Sequence, residues 1–132
     1  MRVAAYVRVS TDEQADKGNS LIEQKERLNA YCVAMGWPKP IFFVDDGYSA
    51  KDLKRPAVQK LIGAVKESKF DVVLTSKLDR MSRKLLDMLN FVAMLESHKC
   101  SYVSASEGFD TSTAVGRMVL QLLAAFAEFE RE

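Results

Sequence analysis

The sequence predicts an α/β fold, with a mostly parallel central sheet of about four to five strands, flanking helices and a long C-terminal interface helix. Short segments rich in β-branched and aromatic residues alternate along the chain with longer segments whose apolar residues recur every three or four positions. Such alternation is typical of parallel strands connected by helices. The length of 132 residues, close to half of them apolar, suits one domain with a single core.

The first strand and the first helix are indicated by local signals. Residues 2–9 are mostly apolar, as in a strand that is covered on both faces. Ser20 and Glu23 have the spacing of a capping box, which predicts a helix over about 21–35. Gly36 is placed to end that helix.

Three further strands and two helices are predicted in the middle of the chain. Residues 41–44 form an apolar segment, and Pro56 is well placed as the first residue of the next helix. Residues 70–75 predict the third strand, about 84–97 a helix, and 101–106 the fourth strand. Each strand is thus followed by a connection long enough for a parallel crossover.

The last segment, residues 113–132, predicts a helix with a wide apolar face. Its main stripe consists of Val115, Met118, Val119, Leu122, Leu123, Phe126 and Phe129. A core position would explain the first two turns, whereas the width of the face beyond Leu120 indicates a subunit contact. The predicted interface residues are Met118, Leu122, Phe126 and Phe129. The segment ends without a helix stop signal, so we expect a DNA-binding part outside this chain.

Composition excludes several classes of protein. No apolar run approaches the roughly 18 residues that span a bilayer, and the amino terminus lacks a signal-peptide pattern, so a cytoplasmic protein is expected. His98 is the only histidine, and Cys32 and Cys100 are the only cysteines. Neither a metal site nor a cofactor is therefore expected, and the thiols should stay reduced. The net charge of +1 is low for a domain that binds DNA unaided, so affinity for DNA would have to come from elsewhere.

Polar side chains follow three predicted strands at their carboxyl ends, where functional groups of an α/β sheet collect. These residues are Arg8 and Ser10 after the first strand, Asp45, Asp46, Ser49 and Arg55 after the second, and Lys77, Asp79, Arg80 and Arg83 after the third. A hydroxyl with several guanidinium groups suits attack on a phosphate, because fixed guanidiniums stabilise the charge that the transition state gains on the phosphate oxygens.

Spacing within the set supports the same chemistry. Arg8 and Ser10 are two apart on an extended strand, so both are expected to point the same way. Arg80 and Arg83 would share one face on a helical turn. A serine after a strand is more commonly a loop hydroxyl, and a D-R-x-x-R run is more commonly a solvated face. The residues alone therefore predict a phosphate-binding α/β domain, such as an esterase or a phosphotransferase.

Five segments taken together resemble the serine recombinase family of resolvases, invertases and integrases. They are YVRVS at 6–10, SLIEQ at 20–24, DDGYSA at 45–50 with Arg55 and Pro56, KLDRMSR at 77–83, and EFERE at 128–132. The five occur in order over nearly the whole chain, which makes residues 1–132 resemble a catalytic domain. The polar insertion before Gln24 and the long second loop resemble the large serine integrases more than the compact resolvases.

The resemblance implies site-specific recombination of double-stranded DNA without a cofactor. Ser10 matches the nucleophile, which becomes joined to a 5′ phosphate and releases a 3′ hydroxyl, so rejoining needs no ATP. Arg8, Arg80 and Arg83 match arginines that hold the scissile phosphate. Asp79 matches a carboxylate that either orients Arg80 or protonates the leaving oxygen, and its role is open.

Other matching residues are expected to bind DNA or to support the site. They are Gln24, Asp46, Ser49, Arg55, Lys77, Glu130 and Arg131. Asp46 and Ser49 have an alternative interpretation, in which they close a turn before Pro56 through side-chain to backbone bonds. The family also implies that the final helix pairs catalytic domains as dimers and as a synaptic tetramer.

Two other hypotheses of function stay open. Near-neutral charge and the apolar final helix fit an assembly module that is inactive without its DNA-binding part, and the phosphate-binding residues fit a metal-free phosphoesterase for small substrates. Whether the site is assembled in one subunit is a related question. Loops with several arginines repel one another, so the catalytic groups are expected to stay scattered until a phosphate arrives.

Overall fold

A computed structural model describes residues 1–11 and 20–131, the last without its side chain. The elements in chain order are β1 (Val3–Val9), α1 (Leu21–Met35), β2 (Ile41–Asp46), α2 (Pro56–Lys66), β3 (Val72–Thr75), α3 (Leu78–Met81), α4 (Leu85–Ser97), β4 (Ser101–Ser104), β5 (Phe109–Asp110) and α5 (Ala114–Arg131). The described strands form one sheet in the order β2-β1-β3-β4-β5. All neighbours pair in parallel except β4 and β5, which are antiparallel. The predicted fold class is confirmed.

The strand β1 lies at the centre of the hydrophobic core. All seven of its residues are buried, and successive side chains serve opposite faces of the sheet. Ala4 and Tyr6 pack on the side of α2 and α4, whereas Val3, Ala5 and Val7 pack on the side of α1. A central strand covered on both faces fixes the position of whatever follows it at its carboxyl end.

The helices begin where local signals placed them. The Ser20 hydroxyl accepts the Glu23 N–H at 3.1 Å, so the predicted cap of α1 is present. Gly36 ends α1 in the left-handed region, with a φ of 71°, where a side chain is disfavoured. Pro56 is the first residue of α2. These boundaries depend on neighbours in sequence, which is why they are predictable.

The differences from the prediction lie at strand ends and in the one-turn helix α3, which the sequence pattern did not predict. The third strand begins at Val72 rather than at residue 70, and β4 ends at Ser104 rather than at residue 106. The amides of Ala105 and Ser106 nevertheless continue the pairing with the third strand's end, with bonds of 2.9 Å each. The two-residue β5 is too short to give a periodic pattern.

The helix α5 is only partly packed against the domain. Val119 and Leu120 contact the core, whereas Val115 is 67% exposed. The core interpretation of the first two turns therefore holds for one side of the helix only. The predicted interface residues are largely exposed, at 55% for Met118, 63% for Leu122, 55% for Phe126 and 75% for Phe129. Across residues 1–11 and 20–131, no helix has the length and apolar character to span a membrane.

The first turn of α5, which we call its root, packs directly against β5. Thr113 donates its hydroxyl to the Asp110 carbonyl at 2.8 Å and accepts the Gly116 N–H at 2.9 Å. A Cβ at Gly116 would lie only 1.8 Å from the Asp110 carbonyl oxygen, so no larger residue fits without a shift of backbone. The first turn of α5 is thus held tightly against the sheet, in contrast to the largely exposed part of the helix from Leu122 onward.

Candidate active site

The candidate site lies at the carboxyl end of β1. Ser10 follows the strand immediately and is partly buried. The loop after β2 folds back over this strand end, where the Val9 carbonyl accepts the N–H groups of Gly47 and Tyr48 at 2.8 and 3.1 Å. The α3 segment approaches from the β3 side, and its residues bond to Arg8. Three loops that are distant in sequence therefore meet beside Ser10.

Arg8 is fully buried, and its guanidinium donates to three backbone carbonyls. Nε bonds the Arg80 oxygen at 3.1 Å, Nη1 the Tyr48 oxygen at 2.8 Å and Nη2 the Asp79 oxygen at 3.1 Å. Because these acceptors lie in the β2–α2 loop and in α3, Arg8 joins the two loops. Arg8, which was predicted to hold the phosphate, is thus buried below the site and bonds the backbone of the loops that form it.

Gln24 fixes the backbone of Arg8 from the opposite side. Its Oε1 accepts the Arg8 N–H at 3.2 Å, and its Nε2 donates to the Arg8 carbonyl at 2.9 Å. Gln24 is buried on α1, so its amide extends the pairing of β1 as a neighbouring strand would. The structure therefore gives this predicted supporting residue a contact to the strand that precedes Ser10.

Arg80 forms a reciprocal pair with Arg8. Its Nη1 donates to the Arg8 carbonyl at 2.9 Å, while its own carbonyl accepts from Arg8 Nε. Arg80 is 3% exposed, although its neighbour Asp79 has a side chain that is 46% exposed. Asp79 Oδ1 lies 3.4 Å from Arg80 Nε, within ion-pair distance but outside hydrogen-bond geometry. This contact is compatible with an orienting role of Asp79 toward Arg80.

Arg55 is the second guanidinium bound to the carbonyl end of α3. Its Nη1 donates to the Tyr6 hydroxyl at 2.8 Å and to the Arg80 carbonyl at 3.1 Å, and its Nη2 donates to the Met81 carbonyl. Its Nε donates to the Asp52 carbonyl at 3.1 Å. A helix of one turn has no internal partners for its last carbonyls, and the arginines supply them.

Asp45 anchors the other end of this buried network. Its carboxylate accepts the Tyr6 hydroxyl at 2.8 Å and the Ala57 and Val58 N–H groups at 2.9 and 3.3 Å. The first free N–H groups of α2 are thereby satisfied. Burial raises the pKa of Tyr6 far above its ordinary value, and the Arg55 guanidinium opposes that rise only in part. Tyr6 therefore stays a neutral donor.

Asp46 and its neighbour Asp45 differ in their surroundings. Asp46 is exposed, whereas Asp45 is 1% exposed and joins the network. A helix that begins at Pro56 offers free amides to an acid at the end of the preceding strand, a signal that could have identified Asp45. Ser49 is exposed, and its hydroxyl accepts the Lys51 N–H at 3.2 Å, which is the turn-closing alternative.

Arg83 differs from the three buried arginines. The helical turn ends at Met81, and Ser82 is extended, with a φ of −158°. The expected shared face of Arg80 and Arg83 is therefore absent, and the Arg83 side chain is exposed. Its backbone N–H donates to the Ala50 carbonyl at 3.4 Å. Backbone carbonyls hold the three buried guanidiniums, whereas the Arg83 side chain lies at the surface.

The remaining predicted residues lie at the periphery. Lys77 is exposed immediately before α3, and Glu130 is exposed near the end of α5. The side chain of Arg131 and the polar insertion at 12–19 lie outside the described residues. A groove of about 350 Å³ opens beside the end of β1 and is lined by Val9, Ser20, Leu21, Ile22 and Asp46.

The expectation that the arginine loops stay scattered is wrong for Arg8, Arg55 and Arg80. Backbone carbonyls lie between the guanidiniums, and their partial negative charges offset the mutual repulsion of the cations. The loops are therefore joined by the groups that were expected to separate them.

Comparison with known proteins places this arrangement in a family. The sequence model of the protein family "Resolvase, N terminal domain" matches residues 3–132. The chain belongs to this family. The resolvase-family chain is 32% identical to the DNA-invertase of Escherichia phage P1 over 127 residues, which are 96% of this chain and 61% of the relative. It is 36% identical to the Transposon Tn552 resolvase of Staphylococcus aureus over 128 residues, 96% of this chain and 58% of the relative. The chain thus spans less than two thirds of either relative.

Solved structures agree with this assignment. The resolvase-family domain matches the N-terminal catalytic domain of TP901-1 integrase with a TM-score of 0.93 and 44% identity, covering 99% of this chain and 97% of that chain. It matches a resolvase family site-specific recombinase from Streptococcus pneumoniae with a TM-score of 0.82 and 27% identity, covering 99% and 88%. The family resemblance inferred from the five segments is confirmed, together with the likeness to an integrase.

Proposed function

We propose that this resolvase-family chain is the catalytic domain of a site-specific DNA recombinase that cuts and rejoins double-stranded DNA through a phosphoserine at Ser10. The observation that carries the proposal is the position of Ser10 at the end of the central strand, two residues after the Arg8 carbonyl that accepts Arg80 Nη1 at 2.9 Å. Relatives described as a DNA-invertase and a resolvase, and an integrase of similar structure, support the same substrate class.

The reaction that fits these groups is a phosphoryl exchange. Ser10 Oγ attacks the phosphorus and gives its proton to a base, and the bond between the phosphorus and the 3′ oxygen breaks. The leaving 3′ oxygen takes up a proton from an acid and departs as a hydroxyl. The 5′ phosphate then forms an ester with Ser10. A 3′ hydroxyl attacks this ester in the reverse step and releases the serine. One phosphoester bond exists throughout, so no energy-rich cofactor is needed.

Guanidinium groups lower the barrier of both steps. The phosphate gains negative charge on its non-bridging oxygens in the transition state, and a fixed donor aimed at them is worth roughly 10²–10³ in rate. Arg83 is exposed and meets the phosphate first. Arg8 and Arg80 reach it when phosphate oxygens replace the backbone carbonyls that hold them now, since both kinds of oxygen accept the same N–H groups.

Self-association through α5 is the second part of the proposal. Met118, Leu122, Phe126 and Phe129 lie three or four residues apart and expose most of their side chains. Burying such side chains against a second copy contributes roughly 25 cal/mol per Å². We assign the dimer and the synaptic tetramer to this helix. The same surface favours the alternative of an assembly module that is inactive when separated from its DNA-binding part.

A covalent adduct tests the proposal. The full-length gene product is incubated with duplexes from the two junctions of the genetic element that carries its gene, each nicked near the centre so that a cut strand is lost. We expect a protein–DNA adduct on a denaturing gel. Mass spectrometry after nuclease digestion should find a nucleotide on Ser10.

Two serine variants interpret that result. Ser10→Ala should bind the duplex and form no adduct, whereas Ser97→Ala should react normally, because Ser97 ends α4 before the amino end of β4 and Ser10 follows the carboxyl end of β1. An adduct on another residue would overturn the role of Ser10. Hydrolysis of a small phosphodiester without any DNA adduct would favour the phosphoesterase instead.

A further inference from the structure

One side chain of the β4–β5 turn contacts the start of α3. Glu107 Oε1 accepts the Leu78 N–H at 2.8 Å, and the Ser104 hydroxyl donates to the same oxygen. Gly108, with a φ of 65°, turns the chain into β5 directly afterwards. The carboxylate therefore bridges the end of β4 and the first turn of α3.

The helix α3 depends on such external contacts for its position. It has four residues, and its own turn is closed by the bonds from Arg80 N and Ser82 N, which are 3.2 and 3.3 Å long. The first N–H groups of a helix have no internal partner, and Glu107 supplies one for Leu78. The carbonyl end is held by the two buried arginines described above. Glu107 is thus the acceptor that fixes the amino end.

A carboxylate that only closed its own turn would bond within that turn. Glu107 makes such a bond, with Ser104, but it also reaches Leu78, which is 29 residues away in sequence. It also lines a groove of about 280 Å³ between the start of α3 and the root of α5, together with Val115 and Val119. Its contacts therefore connect separate elements.

We propose that Glu107 is a positioning residue for DNA cleavage. Its hydrogen bond to Leu78 holds α3 in place, and α3 in turn places the guanidiniums of Arg80 and Arg83 toward the phosphate attacked by Ser10. This inference rests on the proposed function. A neutral acceptor of the same length can make the same bond, so the role belongs to the oxygen and not to the charge.

Three variants of the full-length gene product test the role. Glu107→Ala removes the acceptor, Glu107→Gln keeps it, and Glu67→Ala is the matched control, because Glu67 is an exposed acid at the far end of α2. Single-turnover cleavage of the nicked duplex is measured over a range of protein concentrations. We expect Glu107→Ala to lower the saturating rate roughly 10- to 100-fold, as slight misplacement of catalytic groups does. The concentration for half-saturation should change less than about twofold, because Glu107 does not touch DNA in this proposal.

Amide exchange gives a readout that does not depend on activity. Exchange of the Leu78 N–H should be faster in Glu107→Ala and restored in Glu107→Gln, with the Val73 amide of the core unchanged in both. The cleavage rate of Glu107→Gln should return to within about threefold of the unchanged protein. Normal cleavage by Glu107→Ala, or equal losses in the Ala and Gln variants, would overturn the role. If the unchanged protein forms no adduct at Ser10, the proposed function fails, whereas a normal adduct with an unaffected Glu107→Ala rejects only the positioning.

Discussion

The carboxyl end of the sheet and the helix α5 depart from the usual pattern of burial in opposite ways. Around Ser10 the domain buries charge: Arg8, Arg55 and Arg80 are each at most 3% exposed. Along α5 it exposes apolar surface, with Phe129 at 75%. Charged groups are seldom buried without partners, and contiguous apolar side chains are seldom left exposed, unless a function requires them.

The two regions also differ in whether their side chains find partners within the chain. Each buried guanidinium has backbone carbonyls as partners, so the cluster is complete within one chain. The α5 stripe has no packing partner along most of its length among the described residues. The first region is thus built by folding, whereas the second is the surface proposed above for self-association.

The largest expected effect comes from removing a buried guanidinium. Arg55→Met keeps the apolar stem but leaves the Met81 and Asp52 carbonyls and the Tyr6 hydroxyl short of a donor. Each buried polar atom left without a partner costs about 1–3 kcal/mol, so we expect a loss of roughly 3–5 kcal/mol in the free energy of unfolding by urea. Arg83→Met, at an exposed position, should cost less than about 0.5 kcal/mol. Equal effects of the two changes would contradict the contrast between buried and exposed arginines.

The next effect concerns the hydroxyl of Tyr6. Tyr6→Phe removes a donor to Asp45 and an acceptor for Arg55, and should cost about 2 kcal/mol at neutral pH. Burial raises the pKa of Tyr6, so the folded protein keeps a proton that the unfolded chain loses above about pH 10. This stabilisation is complete below pH 10 and is lost as the pH rises further.

Urea unfolding at pH 8 and pH 11 checks the sign of that dependence. The unchanged chain should lose more stability over this interval than Tyr6→Phe, while the other buried tyrosine, Tyr102, contributes equally to both. A parallel decline of the two proteins would show that the Tyr6 phenol does not titrate differently on folding.

Self-association should respond to changes on α5 that leave the fold intact. Phe126→Ala removes a ring that is 55% exposed, and we expect the dissociation constant of self-association to rise roughly tenfold, which corresponds to about 1.4 kcal/mol. Sedimentation equilibrium over a concentration series measures it. Gln121→Ala, an exposed polar position on the same helix, serves as the control. A monomer at every concentration, before any substitution, would remove the basis for the α5 interface.

The smallest effect is expected at the ion pair between α5 and α4. Arg117 Nη1 lies 3.7 Å from Glu96 Oε2, and the arginine side chain is 59% exposed. Solvent screens such pairs, so Arg117→Ala should change the unfolding free energy by less than about 1 kcal/mol. Thermal unfolding measures this change. A larger loss would mean that the root of α5 depends on charge more than on the close fit at Gly116.

Local signals explain which parts of the fold were predictable. The cap at Ser20, the helix end at Gly36 and the start at Pro56 each depend on neighbours in sequence. The difference in burial between Asp45 and Asp46 was not predictable, because it depends on which of two neighbouring residues at the end of β2 faces the core. The side of α5 that packs against the core could not be predicted, because it is decided by contacts with residues that are distant in sequence.

The site was predictable in its residue types but not in its contacts. The sequence predicted that Arg8 and Ser10 lie together at the carboxyl end of the first strand, yet the exchange of bonds between Arg8 and Arg80 depends on where β1 and α3 meet. Glu107 gave no signal, because an acid before a glycine is common in turns. Hydrogen bonds over such separations are decided by the fold as a whole.

The close fit of Gly116 against Asp110 fixes the start of α5, which therefore acts as the pivot for any tilt of the helix. Phe129 lies thirteen residues beyond Gly116, which in a helix is about 20 Å of reach. A tilt of roughly 10° at the pivot would swing Phe129 through about 3–4 Å, given that helical rise. Small adjustments at the edge of the sheet are thereby magnified at the tip of the helix, where a neighbouring copy would meet it.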